Sequence, residues 1–112
     1  MRNSEIIEIA VLAWDGVSAH PHRFGGTEYR LGEREIGHVH GDGLVDIPFT
    51  KTVRDELIIL GKAEAHHILP ESGWVSIQLK SEKNVQDAIE LLERSLEIAR
   101  KQHRNREARA KP

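Results

Sequence analysis

TEYRLGEREIGHVHGDGLVDIPF, residues 27–49, decides the fold of this chain. Two alternating runs, 27–31 and 34–40, are joined by Gly32-Glu33, a pair suited to a type II′ hairpin turn because glycine takes the positive φ at its first central position. Gly41-Asp42-Gly43 supplies the next tight turn. A third strand over 44–49 follows, with Pro48 near its end, where a residue that cannot donate to the ladder is tolerated. Connections this short allow only antiparallel neighbours, so the middle of the chain is a three-stranded meander.

Outward from that meander the period changes from two to 3.6. Residues 4–13 read as a helix, with Ser4 as its cap and Ile6, Ile7, Ala10 and Val11 on one side. Gly16, Pro21, Gly25 and Gly26 then read as loop. On the other flank Thr50 or Thr52 caps a second helix lined by Val53, Leu57 and Leu60, and Gly61 offers the left-handed stop. Residues 62–73 lack a pattern, whereas 74–80 alternates as a fourth strand. Ser81 then caps a long helix with Val85, Ala88, Ile89, Leu92, Leu96 and Ala99 on one stripe. The order α-β-β-β-α-β-α predicts an α+β domain: one largely antiparallel four-stranded sheet with helices packed on one face.

With 112 residues the chain has length for one core, which we place in residues 1–102, followed by a basic, solvated tail over 103–112. The absence of cysteine removes disulfides, thiolate nucleophiles and sulfur-ligated metals, so any metal rests on imidazole and carboxylate. Residues 100–112 hold six Lys/Arg against one acid, which leaves ten basic and seventeen acidic residues in 1–99. An acidic body repels a polyanionic backbone, so nucleic acid is an unfavoured partner. No apolar run approaches the ~20 residues of a membrane span, and no signal pattern opens the chain, so the expected place is the cytoplasm.

Function enters through histidine. Six of the seven lie between residues 20 and 67, as His20-Pro-His22, His38-Val-His40 and His66-His67. Strand alternation sorts their neighbours. Val75, Ile77 and Leu79, then Val45, Ile47 and Phe49, then Tyr29 and Leu31 form the helix-facing set. The opposite face then carries Trp74, Ser76 and Gln78, Leu44 and Asp46, Glu28 and Arg30, and, with Val39 inward, Ile36, His38 and His40. Two imidazoles at i and i+2 stand roughly 7 Å apart on one face, close enough to converge on one ligand. Asp46 is placed to orient an imidazole, and the His66-His67 loop to fold over the same surface. His20, His22 and His103 read more simply as solvated side chains.

Three strings carry a resemblance: Arg23-Phe-Gly-Gly-Thr-Glu-Tyr-Arg-Leu, Glu35-Ile-Gly-His-Val-His-Gly-Asp-Gly-Leu-Val-Asp-Ile-Pro and His66-His-Ile-Leu-Pro-Glu-Ser-Gly-Trp-Val. From about residue 14 to 100 the chain resembles a family of small, mostly bacterial proteins called the luciferase domain family, and the resemblance implies that these motif residues form its site. More loosely, the stretch from Asp46 to the last helix is similar to MmcQ/YjbR-like domains, through Ser72-Gly73-Trp74-Val75 followed by a helix. That resemblance implies the same α+β fold and a DNA-binding role, whose basic residues lie here mainly in the tail.

The residues therefore point to a site for a small, anionic molecule, with catalysis left open. His38, His40, Asp46 and His67 are the candidate catalytic groups, and Arg30, Asp42, His66 and Trp74 the candidate ligand-binding groups. A metal variant uses His38, His40 and His66 on a divalent ion such as zinc or manganese. The competing class is an interaction module, in which the same face or an edge strand pairs with a second copy or another protein, and the tail adds weak nucleic-acid contact.

Overall fold

The computed structural model describes residues 1–22 and 25–110. Arg23 and Phe24 of the first motif, and Lys111 and Pro112 of the tail, lie outside the described residues. The elements run α1 (Asn3–Leu12), β1 (Val17–Pro21), β2 (Thr27–Leu31), β3 (Arg34–His40), β4 (Leu44–Ile47), α2 (Lys51–Ile59), β5 (Glu64–Ala65), β6 (Val75–Gln78) and α3 (Glu82–Ala110). This is the expected α+β class with an antiparallel sheet, but the sheet has six strands rather than four. Their order is β1-β2-β3-β4-β6-β5.

The two unforeseen strands are the edges. β1 ends in Pro21 and pairs on one side only, with β2, which is where a strand carrying proline can sit. β5 is two residues long and continues the sheet beyond β6. Turn chemistry holds the meander as expected, with Gly32 at φ 62 between Leu31 and Arg34. Thr50, rather than Thr52, caps α2 by accepting from the Val53 amide at 3.2 Å, and Ser81 accepts from the Asn84 amide at 3.2 Å to start α3. Ser4 is not the α1 cap. It lies inside that helix, and its amide is bonded instead by the Asp42 carboxylate at 3.0 Å.

The core forms where α1 and α3 cover one face of the sheet. Ile7 and Val11 of α1, Leu92 and Leu96 of α3, and Tyr29, Val45, Ile47 and Val75 of the strands are fully buried together. Each such aliphatic side chain removed from water stabilises the domain by about 1.5–3 kcal/mol before chain entropy is counted. Past Arg100, which is half-buried and donates to the Asp15 carbonyl at 2.7 Å, the helix leaves this core, yet remains helical to Ala110 with every residue from 101 to 110 exposed. The basic run read as a tail is thus carried, from Arg100 to Arg109, on a projecting helical end.

One placement is corrected. Ile36, expected beside His38 on the helix-free face, is fully buried in the core. Across β2 and β3, Tyr29 pairs with Gly37 and Arg30 with Glu35, so Ile36 is the extra residue of a bulge. An inserted residue reverses the alternation on its N-terminal side. Ile36 turns inward, and Glu35 turns toward the histidines in its place.

Candidate functional site

Register builds the site. Directly opposed residues share a face, and one row crosses the whole sheet: His20, Glu28, His38, Asp46, Ser76 and Glu64. Neighbouring strands are spaced about 4.8 Å apart, so polar side chains in such a row touch. Asp46 sits on β4, near the middle of the sheet, and is completely buried. Loops do this burying, because the segment before β6 folds over the helix-free face and brings His66, His67, Ile68 and Leu69 above it.

Three imidazoles converge on one oxygen of Asp46. Nε2 of His38, His40 and His66 lie 3.1, 3.0 and 3.4 Å from its Oδ2. The Ser76 hydroxyl donates to the other oxygen, Oδ1, at 2.6 Å, and His67 Nδ1 stands 3.9 Å from it. Burial alone would raise the Asp46 carboxyl. The hydrogen bonds from His38 and Ser76 outweigh it and hold the group well below the usual carboxylate range.

The surrounding histidines are not equivalent. His38 is clamped between carboxylates, with Nδ1 2.6 Å from Glu35 Oε2 and Nε2 on Asp46. Burial pushes its pKa down, but those two partners more than offset this and raise it to about 9. His66 behaves in the opposite way. Its Nδ1 accepts the backbone amides of Ile68 and Leu69 at 3.1 and 3.0 Å, so the ring proton resides on Nε2, toward Asp46. Burial lowers its pKa, and the Asp46 charge only partly counters that. One ring is thus held as a cation and one as a neutral donor within the same cluster.

Beyond Asp46 the ring stack continues to His22, which lies face to face with His38 at 4.0 Å and bonds Glu28 through Nδ1 at 3.1 Å. Arg30 donates to the same Glu28 at 2.6 Å, and this contact, reinforced by His22, keeps the Glu28 carboxyl below its ordinary value against the effect of burial. Trp74 closes one side, 5.3 Å from the His38 ring. Trp74, Glu35, Asp46 and the five histidines around it line a cleft of about 400 Å³ whose remaining walls are Ile68 and Leu69.

Of the residues expected from sequence, His38, His40, Asp46, His66, His67 and Trp74 are brought together. Two are not. Arg30 is separated from the cleft by Glu28, and Asp42 spends its carboxylate on the amide of Ser4 in α1. Sequence reasoning left out Glu35, His22 and Ser76 as working members. Gly37 inside a strand pattern was the available sign for Glu35, since such a glycine often marks a bulge. Alternation puts Ser76 on the Asp46 face, though without a role assigned to it, whereas His22 has no local sign, because only the pairing of β1 with β2 places it.

Chemically, the cluster offers imidazole nitrogens and carboxylate oxygens in reach of one another, and a ring of buried Asp46 with these histidines could hold a metal ion. Ligand atoms of Asp46, His66 and His67 come within 4.8 Å of one another, as do those of His22, His38 and His40. No described helix is long and apolar enough to cross a membrane. Neither the curated proteins nor the solved structures include a match to this chain. A family model described as Luciferase domain matches residues 33–95, the span that holds Glu35, His38, His40, Asp46, His66, His67, Trp74 and Ser76. More than half its length falls within that match, and the chain belongs to the Luciferase domain family.

Proposed function

We propose that this domain binds a small, anionic, partly apolar molecule in the cleft over Asp46, with acid–base chemistry supplied by histidine. The observation that carries this reading is the difference in access around one carboxylate. The Asp46 side chain is 1% exposed and that of His38 9%, whereas His40 is 29% exposed and His67 46%. The carboxylates are consumed within the cluster, and the groups that reach the cleft are imidazoles. A cleft that presents ring nitrogens beside Trp74, Ile68 and Leu69 suits acceptor oxygens on a molecule with a flat or aliphatic body.

Within that reading His40 is the acid–base group. Asp46 bonded to His40 Nε2 at 3.0 Å fixes the ring, leaving Nδ1 to exchange a proton with a bound molecule. His67, at the rim, contributes a second polar contact. If a divalent ion is resident, the donor set of imidazole and carboxylate without sulfur suits zinc or manganese.

Benzoate and phenyl phosphate serve as probes, titrated into chelator-treated protein while imidazole resonances are followed by NMR. Saturable shifts at His40 and His67, weakened at least tenfold by Trp74→Ala, are the expected result. Uniform, non-saturating shifts, or saturable ones that ignore Trp74→Ala, would remove this reading.

A further inference from the structure

We propose that the groove between the β2–β3 turn and the projecting end of α3 binds a small phosphorylated molecule, held by Arg34, Arg104 and Arg106. This groove has a volume of about 690 Å³ and shares no lining residue with the cleft over Asp46, so the inference goes beyond the reading above and does not rest on it.

Helix periodicity is the first support. Leu92, Leu96 and Ala99 are buried in turn where α3 lies on the sheet. At the same spacing of three and four residues, the next positions on that stripe are His103 and Arg106. There the helix has passed the core, and Gly32, Glu33 and Arg34 of the hairpin stand across from it. Leu31 and Ala99 form the apolar wall of the groove, and cations take up the inward stripe that apolar side chains hold in the preceding turns.

Charge is the second, because the cations of the groove differ in what already neutralises them. Arg100 donates to Glu97 Oε1 at 2.7 Å and to the Asp15 carbonyl at 2.7 Å, and His103 Nε2 stands 3.1 Å from Glu107 Oε1. Arg34 Nη1 donates to Gln102 Oε1, a neutral partner that ties the start of β3 to α3 and leaves the guanidinium charge uncompensated. Arg104 and Arg106 have no hydrogen bond or ion pair among the described residues. Glu33 is the one acid among the described lining residues, so against Arg34, Arg104 and Arg106 it leaves a surplus of two positive charges.

That surplus selects the ligand. A phosphate monoester carries about 1.5–2 negative charges at pH 7, whereas a lone carboxylate carries one. The three uncompensated cations are all arginine, whose planar fork matches two oxygens of a phosphate at once. Length is restricted as well. Residues 1–99 hold seventeen acids against ten bases, so a long polyanion leaving the groove meets a repulsive body, while a small molecule stays within it.

The test titrates the full chain with inorganic pyrophosphate at fixed pH and about 0.1 M salt, where charges more than about 10 Å apart are largely screened. Calorimetry should show one equivalent bound, and NMR should show the His103 ring shifting while those of His40 and His67 stay in place. Arg34→Gln and Arg106→Gln should each weaken binding at least about tenfold, as expected for losing a charge-assisted bond. Lys101→Gln and Arg109→Gln remove the same charge from the same helix outside the groove, and should each weaken it less than about threefold. Benzoate, with a single charge, should move His103 only at concentrations at least about tenfold higher. Absence of a saturable equivalent, saturation read at His40 instead of His103, or equal losses in all four variants overturns the assignment. A short DNA duplex that displaces pyrophosphate and loses affinity equally in all four variants also overturns it, by assigning the arm to nucleic acid. Because Arg34→Gln also releases Gln102, the arginine Nε–H resonances of the unmutated protein provide a second measurement. Pyrophosphate should shift those of Arg34 and Arg106, and a response at neither ends the proposal.

Discussion

Glu35 Oε2 lies 2.6 Å from His38 Nδ1, although the two residues are three apart on one strand. In a regular strand such residues face opposite sides of the sheet. The bulge at Ile36 cancels that rule, so a single inserted residue both fills the core and gives His38 its second carboxylate. Glu35→Gln keeps the shape and removes the charge. It should lower stability by about 1–3 kcal/mol, as expected for weakening a charge-assisted bond to a buried group. Urea midpoints check this, with Glu33→Gln, in the exposed hairpin turn, expected within about 0.5 kcal/mol of the parent.

The bulge itself depends on Gly37. A methyl group there would strike Leu92 Cδ2 and stand 3.1 Å from the Asp46 carbonyl oxygen. Gly37→Ala should therefore cost about 1–3 kcal/mol through overpacking. Combining it with Leu92→Val, which makes room at the point of collision, should cost less than the sum of the two single changes. Strict additivity in a double-mutant cycle would show that the glycine is required for some other reason.

These particulars explain how far the sequence could be read. Caps at Thr50 and Ser81, the Gly32-Glu33 turn and the stripe on α3 are local signals, and the elements they bound form as expected. The residues meeting at Asp46 were likewise legible, because His38, His40, Asp46 and Trp74 obey the period of two on the C-terminal side of Gly37. What failed was parity upstream of the bulge and the two edge strands. Val17–Pro21 carries a proline and no clean alternation, and Glu64–Ala65 is too short to show a period, so only pairing with β2 and β6 defines them. His22, one residue past β1, joins the cluster through the first of those pairings, and proton placement on His66 depends on loop amides that no pattern announces.

Tyr29 gives the alkaline limit of stability. Burial, with a smaller contribution from the Glu8 carboxylate, pushes its hydroxyl up to about 12. The unfolded chain loses this proton near pH 10 while the folded one keeps it. The stabilisation is therefore fully present below pH 10 and is lost as pH rises from 10 through 12, by about 2–3 kcal/mol in all. Urea midpoints against pH, with tyrosinate absorbance as a second probe, should show this decline, and Tyr29→Phe should flatten it. An equal decline in Tyr29→Phe would assign the alkaline limit to lysines instead.

Gly73 sets the position of Trp74. A side chain at residue 73 would collide with the Phe49 carbonyl oxygen and stand 3.0 Å from the Thr50 carbonyl carbon, and both are backbone atoms that cannot rotate away. The Phe49 amide also donates to the Gly73 carbonyl at 3.2 Å, so the two segments are tied at the point where they are closest. Gly73→Ala must push them apart, at a cost of about 1–3 kcal/mol, and must move Trp74 relative to the His38 ring, now 5.3 Å away. Tryptophan fluorescence reports both effects: the folded-state emission maximum should shift to longer wavelength as water reaches the indole, and the urea midpoint should fall. Trp14, packed at the far edge of the core, contributes a constant background that Trp14→Phe removes. An unchanged spectrum in the Trp14→Phe background, with a lowered midpoint, would mean that the collision is relieved on the Phe49 side and that Trp74 is held by the histidine cluster instead.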